Sequence, residues 1–126
     1  MPSNVKEMLT AANAAVPRIT PSDLRGRMRS GDILVVDVRD SAELKDSGKI
    51  RGALHVTRGM LEFRADPESP YHNSQFRKDR PVALYCASGG RSALAGKTLR
   101  DLGYQQVFNA GAFKDLVEGG LEKESA

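Results

Sequence analysis

The chain has 126 residues, 40% of them apolar and 28% charged, with a formal net charge of +3. That length suits one domain able to bury roughly two-thirds of its extended surface. Nothing approaches the run of about 18 apolar residues that a membrane span needs. Lys and Arg are interleaved with acids, so neither a nucleic-acid nor a membrane partner is expected.

MPSNVKEMLTAANAAVPRI lacks a positive start followed by a sustained apolar stretch, so no secretory signal is expected. Within it, VKEMLTAANAAV reads as a short alanine-rich helix ending before Pro17, an N-terminal helical extension over residues 1–17. ITPSDLRGRMRSGD carries fuller helix punctuation. Thr20 caps, Pro21 takes the first helical position, Asp23 completes a capping-box spacing and Gly31 closes the helix. ILVVDVR (33–39) is a continuous apolar, β-branched run, as expected of a strand buried on both faces. DSAELKDSG follows as a short helix with Asp40 as its cap, and GALHVT (52–57) as a second strand. Residues 58–80 are polar, with one or two short helices expected. PVALYC is a further buried strand, SALAGKTLRDLG an amphipathic helix stopped by Gly103, QQVFNA the last strand and AFKDLVEGG the last helix. Strands alternating with helices predict an α/β domain with a mainly parallel sheet. In such sheets ligands sit beyond the carboxyl ends of the strands. Cys86 stands at one such end.

Cys86 is the chain's one cysteine, so it forms no internal disulfide, which fits a reducing, cytoplasmic compartment. It has apolar neighbours on one side only; on the other lie Ala87, Ser88, Gly89, Gly90, Arg91 and Ser92. Gly89 and Gly90 permit the backbone to turn successive N–H groups inward as an anion nest, and the next helix adds its N-terminal positive end. That field favours the thiolate, the nucleophilic form. Arg91 is a cation in the first helical turn, where it opposes the helix dipole; an anion in the loop would compensate. The bland alternative is a surface arginine beside a buried structural cysteine.

The spacing Cys, four residues, Arg, between a strand and a helix, resembles the active-site loop of rhodanese-domain sulfurtransferases. CASGGRSALAGKTLRDLGYQQVFNAGAF carries that likeness, and ILVVDVRDSAEL, SGKIRGALHV and NAGAFKDLVEGGL agree with other stretches of the family. Together they cover about residues 18–122, leaving a tail at 123–126. The resemblance implies a three-layer fold with a central, mainly parallel five-stranded sheet flanked by helices. It also implies sulfur transfer from a small anionic donor such as thiosulfate to a thiol or cyanide acceptor, an acceptor protein included. The sulfur would travel as a Cys86 persulfide held by the N–H groups of Ala87 to Ser92, with Cys86 and Arg91 as catalytic residues and no cofactor. The chain departs from the family at Lys49, Arg51 and Ala112, and its loop carries a single basic residue.

Asp37 and Arg39 end the Ile33 strand as an ordinary ion pair or, as the resemblance suggests, as supports of the loop. Arg58 borders the pocket or faces solvent. His55 and His72 have no ligand partner at metal spacing, so no metal is expected. No phosphate-binding glycine fingerprint is present. Two rival functions remain. A cysteine phosphatase or arsenate reductase on the same fold has five residues between Cys and Arg, against four here. The other rival is a non-catalytic module: a binding or regulatory one commonly lacks the cysteine, against Cys86 here, whereas a slow sulfur carrier would keep it.

Overall fold

The computed structural model describes residues 3–126. Helix α1 spans Val5–Ala15, with the Asn4 side chain accepting from the Glu7 N–H. Helix α2, Pro21–Ser30, opens and closes as its punctuation requires: the Thr20 hydroxyl accepts from the Asp23 N–H, and Gly31 caps the far end. Strand β1 (Leu34–Asp37), helix α3 (Ser41–Ser47), strand β2 (Lys49–Ile50) and strand β3 (Leu54–His55) follow. A 3-10 turn at Arg58–Met60 runs into α4, Leu61–Ala65. The remainder is β4 (Val82–Cys86), α5 (Gly90–Asp101), β5 (Val107–Ala112), α6 (Phe113–Glu118) and β6 (Lys123–Glu124).

Four parallel strands form the central sheet, in the order β3-β1-β4-β5. The fifth position is held by one parallel bridge, Arg18 to Asn109, beyond β5. Pro17 has no N–H to give a ladder, and the chain turns into α2 at Thr20, so that edge never lengthens. The strand expected over 52–57 shortens to two residues for a similar reason, because the turn at Arg58 interrupts it. β2 and β6 form a small antiparallel sheet outside the main one, which pairs two residues of the expected tail. Two-residue strands carry too little periodicity to be read from sequence.

The apolar runs split by alternation, as strands covered on both faces must. Leu34, Val36 and Val38 of the first run, with Val82, Leu84 and Cys86, face the α4 and α5 side. Ile33, Val35, Ala83 and Tyr85 face α2 and α6, where Leu24, Phe113 and Leu116 meet them. Each fully buried leucine, such as Leu84 or Leu99, contributes about 1.5–3 kcal/mol. These two cores fix the carboxyl ends of β1, β4 and β5 relative to one another, and the candidate site lies there.

Candidate active site

Cys86 is the last residue of β4 and is fully buried. Ala87 and Ser88 lie exposed, and Gly89 turns the chain with φ of 96°, a left-handed value that a side chain would strain. Helix α5 therefore begins at Gly90, two residues before the sequence suggests. The turn folds the loop back over the sulfur, and the Gly89 N–H donates to Cys86 Sγ at 3.0 Å. Burial pushes the Cys86 thiol up; the Ser92 hydroxyl and the N–H groups of Ser92, Ser88 and Gly89 outweigh it and hold the thiol below its ordinary value. The arrangement stabilises a negative sulfur inside the fold.

Behind the loop stands Asn109, a buried residue that the sequence reading overlooked. Its Oδ1 accepts from the Ser92 hydroxyl at 2.7 Å and from the Gly111 N–H at 2.9 Å, and its Nδ2 donates to the Gly89 carbonyl at 3.1 Å. One side chain thus ties β5, the loop and α5 together. The signal was available: an asparagine inside the strand QQVFNA is disfavoured there and calls for a partner. The Ser92 hydroxyl has one proton. It is shared between Asn109 Oδ1 at 2.7 Å and Cys86 Sγ at a longer 3.5 Å.

Arg91 lies in the first turn of α5, yet the charge that offsets it belongs to the protein. Its two terminal nitrogens donate to Glu43 Oε2 and Oε1 at 2.7 and 2.8 Å, a bidentate pair with α3. No bound anion is needed for the compensation expected from sequence. Hydrogen bonding from Arg91 holds the Glu43 carboxyl down at about 2 and raises the Arg91 guanidinium in turn. Glu43 Oε2 also accepts the Asp40 N–H at 2.9 Å, so one carboxylate closes the start of α3 and anchors Arg91.

Asp37 and Arg39 are buried and bonded to each other, with Arg39 Nη2 at 2.7 Å from Asp37 Oδ2. Arg39 also donates to Ser47 Oγ and the Gly48 carbonyl, and its guanidinium lies 4.2 Å from the Phe113 ring centroid. It packs 5.7 Å from the ring of Tyr85, the residue before the cysteine. Arg58 bonds Glu62 and Thr98 and lines a hollow with Met8, Leu94 and Lys97. His55 and His72 bond the backbone carbonyls of Arg39 and Phe76. No cluster of metal-binding side chains occurs among the described residues, and no helix among them is long and apolar enough to cross a membrane.

The model of the rhodanese-like domain matches residues 20–119. The chain belongs to the rhodanese-like family. A solved structure from Rhodopseudomonas palustris, described as a protein of unknown function and possible tyrosine phosphatase, is 40% identical with a TM-score of 0.89. That match covers 98% of this chain and 96% of the other. The polysulfide-sulfur transferase homodimer of Wolinella succinogenes is 32% identical with a TM-score of 0.75, covering 94% of this chain and 85% of that one. A sulfurtransferase of Allochromatium vinosum is 37% identical over 78 residues, which are 62% of this chain and 64% of the relative. Among the curated relatives it matches, the chain spans as little as 16% of the whole length. This rhodanese-like domain, with its single buried cysteine, is homologous to sulfurtransferases.

Proposed function

We propose that the protein is a sulfurtransferase that carries sulfane sulfur as a persulfide on Cys86. The observation carrying this reading is the buried Cys86 sulfur at the carboxyl end of β4, with the Gly89 N–H 3.0 Å away and its thiol held below the ordinary value. The thiolate attacks the outer sulfur of an anionic donor such as thiosulfate. A bond forms between Sγ and that sulfur, the donor's sulfur–sulfur bond breaks, and sulfite leaves with the electron pair. In the second half an acceptor thiolate, or cyanide, attacks the terminal sulfur, and the Cys86 thiolate is regenerated. Neither half needs an oxidant, a cofactor or a dedicated general base. The backbone N–H groups of Ser88, Gly89 and Ser92, which hold the Cys86 thiol down, support this reading as donors to the negative charge in both halves. A lone thiol suits a reducing, cytoplasmic compartment.

The description of the Rhodopseudomonas palustris relative keeps the phosphatase reading in view. Two features weigh against it for this chain. Four residues rather than five separate Cys86 from Arg91, giving a smaller ring. Arg91 is also held by Glu43 rather than aimed into the loop.

Intact mass after incubation with thiosulfate tests the proposal. The wild type should gain one sulfur atom and lose it to added cyanide, and Cys86→Ser should gain none. Sulfur turnover by Cys86→Ser, or efficient hydrolysis of an aryl phosphate by the wild type, would sink it.

A further inference from the structure

Four arginines lie near the carboxyl edge of the sheet, and three are already committed. Arg39 is bound to Asp37, Arg91 to Glu43, and Arg58 to Glu62 and Thr98. Arg18 differs. It sits just outside the family-matched residues, on the edge beyond β5. Its Nε donates to the Asn109 carbonyl at 3.1 Å, and among the described residues no carboxylate pairs with it.

Its side chain runs along β5 toward the loop. The register between β4 and β5 slips after Leu84, so that Asn109 opposes Leu84 and Gly111 opposes Tyr85. Gly111, with φ of 87°, follows the slip, and a Cβ there would collide with Arg18 Nη2. The Gly111 Cα also lies 3.5 Å from where a Cβ on Gly89 would stand. The order is therefore guanidinium, Gly111, Gly89, and then the sulfur that Gly89 N–H contacts. Two glycines let a positive charge approach the back of the loop with only backbone between them. On the other flank, Lys114 lines a hollow beside Ala87, but Glu43 and Asp46 line it too.

We propose that Arg18 is the specificity-determining cation that draws anionic reagents to Cys86, which for the sulfurtransferase reading above means anionic sulfur donors. With backbone between it and the sulfur, the guanidinium acts on the donor through its field rather than by contact. The charge acts on approach, so it affects binding of the donor rather than the bond-making step.

Alkylation of Cys86 by iodoacetate and by iodoacetamide tests this without presuming sulfur transfer. The two reagents share a leaving group and differ in charge. Any change in thiol ionisation affects both rates equally and cancels in their ratio. Arg18→Gln should lower the iodoacetate-to-iodoacetamide ratio about threefold, as expected for one charge acting across several ångströms of partly solvated space. Arg18→Lys, which keeps the charge and loses the Nε bond, should retain most of the wild-type ratio. Raising salt should compress the wild-type ratio and hardly move that of Arg18→Gln. For thiosulfate, KM should rise in Arg18→Gln by a similar factor with kcat unchanged. A ratio unchanged in Arg18→Gln, or lost equally in Arg18→Lys, would overturn the proposal and leave Arg18 as a cover for Gly111. Should Arg18→Gln not fold, Arg18→Met, which keeps an unbranched stem over Gly111 without the charge, is read by the same ratio and decides in its place. Failure of thiosulfate to load Cys86 would count against the donor reading, and the alkylation ratio would still decide Arg18.

Discussion

Asp37–Arg39 and Glu43–Arg91, two of the carboxylate–guanidinium pairs near the carboxyl edge of the sheet, differ in what surrounds them. Asp37 and Arg39 are buried, joined by several hydrogen bonds and roofed by the rings of Tyr85 and Phe113. Glu43 and Arg91 make an equally good bidentate contact, yet their side chains are 33% and 37% exposed. In the sealed pair, losing one member strands the other charge in a medium that cannot solvate it. In the half-open pair, water takes over. The first is therefore part of the architecture, and the second can be altered with the architecture left standing.

The largest effect expected follows directly. Arg39→Met should cost about 3–5 kcal/mol by leaving Asp37 unpaired, seen as a lower urea midpoint. The double variant Asp37→Asn, Arg39→Met should recover much of that loss, because no charge is then left buried. If the single and double variants were equally unstable, packing against Phe113 and Tyr85, and not charge, would hold this region.

An intermediate effect is expected from the neutral counterpart of these pairs. Asn109→Ala removes the partner of the Gly111 N–H and of the Ser92 hydroxyl, at about 1–3 kcal/mol for each buried group left unpaired. Hydrogen exchange at the Gly89 and Gly111 amides should accelerate more than exchange within β1. Uniform acceleration would mean that Asn109 supports the whole domain rather than the loop.

Glu43→Gln should have the smallest effect on stability, below about 1 kcal/mol, because the pair is open to solvent. Its pH dependence has a definite sign. The folded Glu43 carboxyl sits at about 2 against an ordinary 4.5, so folding favours the ionised form. The stabilisation is full above about pH 4.5 and is lost as pH falls through about 2. The stability difference between wild type and Glu43→Gln should therefore vanish across that window. A difference constant with pH would show that the contact acts through packing.

Much of this was readable in the chain. Thr20, Pro21 and Gly31 mark a helix by local chemistry alone, and 33–39 announces a buried strand by composition. The strand–Cys86–glycine–helix order is likewise visible in the chain, and Cys86 ends β4 just before the turn at Gly89. The partners of those residues were hidden because they lie far apart along the chain. Glu43 meets Arg91 across 48 positions, and Asn109 reaches Ser92 across 17. Arg18 reads as an ordinary surface cation until the slipped register beside Asn109 brings Gly111 under it. Long-range pairing decided those roles, and local pattern does not encode it.

The sulfur contacts from Ser88 and Gly89 come from main-chain N–H groups, while the exposed Ala87 and Ser88 side chains face outward. The groups that receive charge and the groups that meet an incoming molecule are thus separate parts of one short turn. Substitutions at positions 87 and 88 alter the outer texture of the turn without touching the donors beneath it. For the sulfur transfer proposed above, such a loop can change its outer side chains, and with them the visiting molecule, while the donors around the sulfur stay the same.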